Sequence, residues 1–586
     1  MKEKVAFTCL NPQGAVDIAA PEGLTAPRVK DLAGKKVGIF WDGKKGGDNF
    51  CVALEEALKR KYPTARFIRL VWGDVEAAEK SKSEVDTFVF GVGDSGMGGW
   101  GQCRNVMDLE KLGKPGIFVV GENAIHTARM SARDSGMPGL RIVSLPSIDY
   151  YPNRSTADGL RPVVEARISL IIDALTRPLT PEEKNPSLMP QREFPTKVRI
   201  SAESYESALD EFNRVYLENH WGDGLPLIPP TKKAVKRMLS GTKRSPDEIL
   251  GKIPFRNGIA TIGKVAVNAV MAGARPEYLP VIIAAIECLA EEGSFSHMMS
   301  SEGSFTLMIM VSGPIGREIH MNSGVGLLGH GWQANNTIGR AVRLCMTNLG
   351  YLWPGEIDMA LIGRPSSHTF YTLAENMEQS PWESFNEGLG HGPEDSCVTL
   401  STVGGAGGLG MKIYGGGVVE PWDAAEVLQS MAGEVAGDRA IFAAYRLGVA
   451  NYFAHFRKHI MILHPELAIM LKRLGYKTKR SLRDYLYEST RVPFEELTLE
   501  EVKGLRDRMN TKPGGVFFVN DAIAGSQLPL FRAALKPGGK VPVVDPDDIH
   551  LIVSGSIPGY SFGMSYMRSA HKTKRIQGAT LTRSGR

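Results

Sequence analysis

The chain has 586 residues and a formal net charge of +5; 43% of its residues are hydrophobic and 23% are charged. The length exceeds that of one ordinary core and the composition is typical of a soluble globular protein, so we expect two or more domains. The small net charge argues against a general nucleic-acid binder, and no apolar run is long enough to span a membrane.

The first 176 residues are predicted to form one α/β domain, because short apolar strands alternate with helices. Strands are predicted at 37–41, 65–72, 87–92, 116–120 and 141–145, and helices at 50–60, 75–82, 105–112, 124–135 and 160–175. This order predicts a doubly wound parallel sheet, in which ligands bind beyond the carboxyl ends of the strands. The loops at 42–47 and 91–103 and the side chain of Glu122 all lie at such ends.

The rest of the chain is predicted to be a linker followed by a larger domain. Residues 177–200 hold several prolines and many charges, which is typical of a linker. Residues 201–586 are predicted to be a mixed α/β or α+β domain that carries the catalytic or substrate-binding groups. Helices are predicted there at 264–272, 280–292, 334–349, 455–472 and 481–489, and strands at 306–311, 396–403 and 550–554.

Two glycine-rich segments match the pattern GxGxxG, which can bring backbone amides to a pyrophosphate. One lies at 91–96 and the other at 405–410. The first copy follows a third strand rather than a first, and the second runs into MKIYGGG, which is not a helical sequence. The sequence therefore does not favour a dinucleotide site, and it assigns neither a cofactor nor a metal.

The stretches LAGKKVGIFWDGKKGGDNF, GVGDSG and DLEKLGKPGIFVVGE closely resemble the UGSC family over residues 30–176. That family carries a D-U-G-S-C loop after this strand, and the domain is similar to the selenoprotein B subunit of glycine reductase. In this chain Asp94 and Gly96 match the loop, but Ser95 stands at the selenocysteine position. Met97 and Gly98 replace the serine and cysteine. The resemblance thus implies a redox loop that has lost its selenol–thiol pair.

Cys103 is the nearest thiol to this loop. We expect it close to the N-terminus of the following helix, where the helix dipole lowers a thiol pKa. Three interpretations stay open for the loop. It binds a substrate or anion with Asp94, Gly96 and Glu122; it does covalent chemistry through Ser95 or Cys103; or it is purely structural.

The second part resembles a domain that accompanies UGSC domains. The resemblance rests on residues 221–231, 265–287, 322–344 and 374–383. It implies an enzyme paired with a redox-type domain and leaves the substrate open.

Asn335, Asn336 and Arg340 form a polar cluster on a predicted helix, and Asn336 and Arg340 share one face. With the glycine-rich lead-in NSGVGLLGHG, this cluster is suited to a carboxylate or another small anion, which Arg340 would clamp through two hydrogen bonds. The alternative is a capped, buried helix whose asparagine and arginine side chains bind backbone groups.

Three further residues, His330, His368 and Glu375, are candidates for acid–base catalysis or metal binding. Their spacing matches no compact metal motif, and a surface or structural role is the alternative for each. Other candidates are Glu302 and His391 beside them, His455 and His459 one helical turn apart, and the thiol of Cys397.

The sequence leads to three hypotheses. The first is an enzyme that cleaves or reduces an activated carbon–heteroatom bond of a small carboxylate-bearing metabolite, with thiol or acid–base assistance. The second is a lyase or hydrolase without a redox step, in which the N-terminal domain only binds substrate. The third is a non-catalytic subunit. We expect a cytoplasmic homo-oligomer with a small-molecule substrate, binding neither nucleic acid nor membrane; scattered cysteines without a CxxC fit that compartment.

Overall fold

The structure is a computed structural model. The structure describes residues 4–41, 46–71, 82–187, 195–301, 303, 305–360, 363, 366–409, 412–414, 417–419, 428–429, 431–433, 435, 457–510, 528–544, 546–555 and 561–578.

The first third of the chain alternates strands with helices. In chain order they are β1 Val5–Leu10, β2 Lys36–Trp41, α1 Gly47–Lys61, β3 Arg66–Val71, β4 Thr87–Gly93, α2 Gly96–Lys111, β5 Gly116–Gly121, α3 Ile125–Asp134, β6 Ile142–Leu145, α4 Ser147–Asn153, α5 Ala157–Glu165, α6 Ile168–Thr176, α7 Pro181–Lys184 and β7 Lys197–Ala202.

Strands β2 to β6 form the predicted parallel sheet, in the order β3-β2-β4-β5-β6. Successive side chains of a strand point to opposite faces, and each face buries a different set. Aliphatic side chains of the sheet pack against α1, α5 and α6. Phenylalanines 40, 88, 90 and 118 pack against α2 and α3 on the other face. Helices therefore cover both faces, which confirms the doubly wound α/β class.

Strand β1 lies outside this sheet and pairs antiparallel with β7. Its Cys9 and the β7 residue Ile200 are buried in the same core as the helices of the second part. The stretch predicted as a linker, 177–200, holds α7 and the beginning of β7. The two ends of the N-terminal segment are thus anchored to the second part of the chain.

The second part continues as a mixed α/β unit, as predicted. Its further elements are α8 Tyr205–Glu218, α9 Lys232–Leu239, β8 Ile249–Ile253, β9 Gly258–Thr261, α10 Ile262–Met271, α11 Leu279–Glu291, α12 Ser294–Met299, β10 Thr306–Ser312, α13 Ile315–Glu318, α14 Gln333–Leu349, β11 Tyr371–Ala374, β12 Cys397–Leu409, β13 Lys412–Tyr414, β14 Gly417–Val419, β15 Arg457–Leu463, α15 Pro465–Arg473, α16 Lys479–Thr490, β16 Val492–Pro493, α17 Leu499–Asn510, α18 Leu528–Ala534, β17 Lys540–Val541, β18 Ile549–Val553 and β19 Ser561–Arg575.

Six strands of this part form a sheet in the order β11-β10-β12-β19-β15-β18. Its two halves repeat one connectivity. In each half a strand pairs with a later parallel strand on one side and an antiparallel strand on the other: β10 with β11 and β12, and β15 with β18 and β19. Strands β12 and β19 join the halves at the centre. The edge strands meet at one end, where the amide of Asn376 donates to the carbonyl of Val553 (2.8 Å) and the Ser554 hydroxyl to that of Ala374 (2.6 Å).

One predicted helix, 455–472, is wrong in its first half. Residues 457–463 form β15, and α15 begins only at Pro465, with His464 as its N-cap. The four consecutive apolar residues at 460–463 are buried in a strand that pairs with β18 and β19, so sheet pairing overrides the helical pattern there. Most of the helix predicted at 75–82, and residue 410 of the second GxGxxG, lie outside the described residues.

Candidate functional site

The loop after β4 places Asp94 and Ser95 at the carboxyl end of the parallel sheet. Ser95 is the N-cap of α2, and its hydroxyl accepts a hydrogen bond from the Gly98 amide at 2.9 Å. This is the local reason for a serine here, because a hydroxyl satisfies an amide that the first turn of a helix leaves unpaired. Ser95 is almost fully buried, so its oxygen acts as a cap at the strand end.

Asp94 is buried and is held by groups from the next two strand ends. Its carboxylate accepts a hydrogen bond from Nη1 of Arg154 at 2.9 Å. Its backbone carbonyl accepts from the Tyr151 hydroxyl at 2.6 Å and from the Asn123 amide at 2.8 Å. Asn123 follows β5, whereas Tyr151 and Arg154 follow β6, so the parallel sheet itself brings these residues together.

Several polar groups at this edge remain accessible. Tyr151 is 39% exposed, and the side chain of Glu122 is 51% exposed with Arg167 at 3.5 Å. The Arg154 side chain is 20% exposed, and among the described residues only its Nη1 has a hydrogen-bond partner. Its Nε and Nη2 can therefore donate to a ligand. We call Asp94, Glu122, Asn123, Tyr151 and Arg154 the strand-end site.

The start of α2 also packs directly on the second part of the chain. A Cβ atom built on Gly96 would lie 2.3 Å from the carbonyl oxygen of Ile357 and 2.8 Å from that of Ser300. Next to this contact, the hydroxyl of Thr127 donates to the carbonyl of Glu356 at 2.7 Å. Gly96 thus matches the family loop at a position where two backbones approach so closely that a side chain is excluded.

The expectation of a reactive Cys103 is wrong. Cys103 lies two turns into α2 and is fully buried, with its thiol donating to the carbonyl of Ala128 at 3.4 Å. Burial raises the pKa of the Cys103 thiol to about 12, because an apolar environment disfavours the thiolate. All six cysteines are buried, and burial also raises the pKa of Cys397, to about 11.

The polar side chains on α14, Asn335, Asn336 and Arg340, form hydrogen bonds with other parts of the chain. Nε and Nη2 of Arg340 donate to the two carboxylate oxygens of Asp223 at 2.8 and 2.9 Å, so the carboxylate that this arginine clamps belongs to the chain. Asn335 is buried and bonds backbone groups of Asn322 and Thr372. The anion site expected from Arg340 is therefore corrected to a structural ion pair. The side chain of Asn336 donates to a backbone carbonyl one turn earlier, so it too bonds backbone.

His330, His368 and Glu375 do not meet in one site. The two histidines are exposed, and no hydrogen bond or ion pair among the described residues joins the three. Glu375 is buried, accepts a hydrogen bond from the amide of Phe385 and pairs with Lys479 at 3.3 Å. These contacts tie Glu375 to the loop at Phe385 and to α16.

The metal-site candidates find no support in the described part of the chain. There, no group of three or more histidine, cysteine, aspartate or glutamate side chains is placed to hold a metal ion. His459 is buried in β15 instead of lying on a helix face. His391 is partly buried. Glu302 and His455 lie outside the described residues.

A serine–histidine pair in the six-stranded sheet escaped the sequence analysis. Nδ1 of His571 lies 2.7 Å from the hydroxyl oxygen of Ser401, and the His571 ring stacks on His550 with centroids 4.6 Å apart. Burial lowers the pKa of His571 to about 4, so the ring is neutral at pH 7. The two partners are 170 residues apart in sequence, and only the pairing of β12 with β19 brings them together.

The fold and the strand-end loop define the N-terminal part as a parallel α/β domain with its polar groups at the carboxyl ends of the strands. Residues 8–177 match the UGSC family, which confirms the resemblance inferred over residues 30–176. No curated protein matches the chain.

One solved structure aligns with the chain at 13% identity and a TM-score of 0.17. It is a fungal multi-domain GH3 β-N-acetylglucosaminidase described as having a GCN5-related glucosamine N-acetyltransferase region. The alignment covers 41% of this chain and 24% of that one, and at this TM-score we draw nothing from it. Among the described residues, no helix combines the length and apolarity needed to cross a bilayer.

Proposed function

We propose that the protein is an enzyme that binds a small carboxylate-bearing metabolite at the strand-end site and cleaves an activated carbon–heteroatom bond by acid–base chemistry without a thiol. The observation that carries the proposal is Arg154. Its Nη1 donates to the buried Asp94, its Nε and Nη2 have no hydrogen-bond partner among the described residues, and a guanidinium can bind a carboxylate through two parallel hydrogen bonds.

The proton-transfer groups in this proposal are Tyr151 and Glu122. The Arg154 guanidinium lies 5.7 Å from the centre of the Tyr151 ring, and Asn123 donates to the Tyr151 hydroxyl at 3.2 Å. A carboxylate bound by Arg154 would therefore lie beside the Tyr151 phenol, which can protonate the ligand once its O–H turns away from the Asp94 carbonyl that it bonds in this structure. Glu122, adjacent to Asn123 and half exposed, is the candidate base. The buried cysteines favour a lyase or hydrolase over a thiol-dependent reductase.

Binding is tested first, with a panel of small carboxylates such as glycolate, malonate and N-acetylglycine titrated by calorimetry. Arg154→Lys keeps a cation for Asp94 but loses the two-bond geometry, so we expect at least roughly tenfold weaker binding, since a charge-assisted hydrogen bond contributes about 1.5–3 kcal/mol. Arg161→Lys is the matched control, because that arginine is exposed and pairs with Glu56. Equal affinity of Arg154→Lys and the wild type would refute the site.

Turnover is tested separately on the carboxylates that bind, by NMR detection of products without added reductant. We expect activity to survive iodoacetamide treatment and to be lost in Tyr151→Phe. Loss of activity on alkylation would overturn the thiol-free chemistry. Binding without turnover of any bound carboxylate would instead support the non-catalytic subunit.

A further inference from the structure

A cavity of about 390 Å³ lies between α3 and the segment that leads into β6, the edge strand of the parallel sheet. This volume is at the lower end of the range that is typical of small-molecule sites. The described residues that line the cavity include none of the strand-end site. Two kinds of side chain meet there: cations on α3, and apolar side chains from α3 and from the segment before β6.

The cationic side chains lie on one face of α3. His126, Arg129 and Arg133 follow one another along this helix at spacings of three and four residues, and all three line the cavity. His126 and Arg129 are exposed, and neither side chain has a hydrogen-bond or ion-pair partner among the described residues. Both can therefore donate hydrogen bonds to a ligand.

A carboxylate beside these cations is shared by two arginines. Asp134 is buried, and its Oδ1 accepts hydrogen bonds from Nε and Nη2 of Arg133 at 2.9 and 2.8 Å. Its Oδ2 accepts from Nε of Arg256 at 2.7 Å. One carboxylate cannot neutralise two guanidiniums, and no acidic side chain is among the described residues that line the cavity. The cavity therefore has an excess of positive charge, which favours an anion.

Apolar side chains form the inner wall of the cavity. Met130 and Leu140 line it and are only 8% and 6% exposed. Leu140 and the half-buried Ile142 pack against the core under α2 and α3. The intervening Arg141 turns away from the cavity, since its guanidinium donates to Glu183 at 2.9 Å. A ligand in contact with this wall would exchange water for apolar surface.

We propose that this cavity binds a small carboxylate with an apolar body, such as an aryl- or alkyl-substituted acetate. Arg129 binds the carboxylate, and Nη1 of Arg133, which has no hydrogen-bond partner among the described residues, lies on the same face of the helix. The apolar body packs on Met130, Leu140 and Ile142. Water and salt weaken the attraction of exposed cations for a bare anion, so tight binding requires both parts of the ligand.

Arginine footprinting tests this site on the full chain without a variant. Butanedione modifies accessible guanidiniums, and peptide mass spectrometry measures the rate at each arginine as phenylacetate is added. We expect modification of Arg129 to slow at least about fivefold near saturation, because only the unoccupied site reacts. Arg237, exposed on α9, is the control and should not be protected. Arg154 reports the strand-end site in the same digest, so the two proposals succeed or fail separately.

Two further compounds separate the parts of the ligand. Acetate has the charge without the apolar body, and phenylacetamide has the apolar body without the charge. Both should leave Arg129 unprotected at the concentration at which phenylacetate protects it. Equal protection by acetate would reduce the site to non-specific anion binding, and absence of protection by phenylacetate would show that the cavity is not a site; either result overturns the proposal.

Variants then measure the contribution of each wall by calorimetry with phenylacetate, in an Arg154→Lys background that weakens the strand-end site. Arg129→Gln should lower the affinity at least about fivefold, whereas the matched exposed change Arg237→Gln should leave it unchanged. Ile142→Ser should also lower it, because the apolar wall becomes polar. Unchanged affinity in Arg129→Gln would refute the binding of the carboxylate there, and unchanged affinity in Ile142→Ser would refute the placement of the apolar body.

Discussion

Replacing Gly96 by alanine should destabilise the protein, although alanine is the better helix former. The added Cβ would meet the carbonyl oxygens of Ile357 at 2.3 Å and Ser300 at 2.8 Å, whereas real Cβ contacts stay above 3.0 Å. Both atoms belong to backbone, so the two parts of the chain must separate. Overpacking of this kind costs about 1–3 kcal/mol. Gly101 is the matched control in the same helix, because its Cβ would meet nothing within 4 Å.

We expect Gly101→Ala to stabilise α2 by about 0.5–1 kcal/mol through helix propensity alone. The two variants should therefore differ by about 1.5–4 kcal/mol in unfolding free energy. Denaturant unfolding followed by tryptophan fluorescence is a suitable assay, because the buried Trp100 of α2 packs edge-on against Phe255 at 5.4 Å. Equal midpoints for Gly96→Ala and Gly101→Ala would refute the close contact between α2 and the second part.

Three further predictions follow from buried groups. Iodoacetamide at neutral pH should leave Cys103 unmodified in the folded protein and alkylate it after denaturation, as read by peptide mass spectrometry. The buried Arg28 lies 2.6 Å from the carboxylate of Glu110. Glu110→Gln removes this counter-charge and should lower the unfolding free energy by about 3–5 kcal/mol. A loss below about 1 kcal/mol would contradict this prediction. Between pH 6.5 and 4 His571 is protonated in the unfolded chain but not in the folded chain, so the free energy of unfolding should decrease as the pH is lowered through this range. The decrease should be smaller in His571→Gln. Parallel pH–stability curves for the two proteins would contradict the assigned pKa.

The sequence was sufficient for the parallel sheet because the information is local. Each strand of that sheet is a short apolar run followed by a turn and a helix, and the order of such units determines a doubly wound topology. The loop after β4 lies at a strand end, as its sequence predicted. What the sequence could not show is which side chains of the following strand ends reach Asp94, since Tyr151 and Arg154 come 57 and 60 residues later.

The candidates in the second part show the opposite case. The pairing Asn336–Arg340 was chosen from helical spacing, which places side chains on one face but says nothing about what packs on that face. Asp223, 117 residues earlier, packs on that face, so the arginine expected to bind a ligand forms an internal ion pair instead. For Cys103, helix position suggested a lowered pKa, but burial of the whole side chain dominates over the dipole.

The six-stranded sheet has the form that two copies of one strand unit would adopt by pairing across a two-fold axis. In such a pair of copies, β12 of one would pair with β19 of the other. Here both strands belong to one chain, so their pairing is intramolecular. The contact between the two edge strands also affects solubility. The outer strands β11 and β18 are joined at one end through Asn376 and Ser554, which leaves less unpaired backbone where a strand of another molecule can add and begin aggregation.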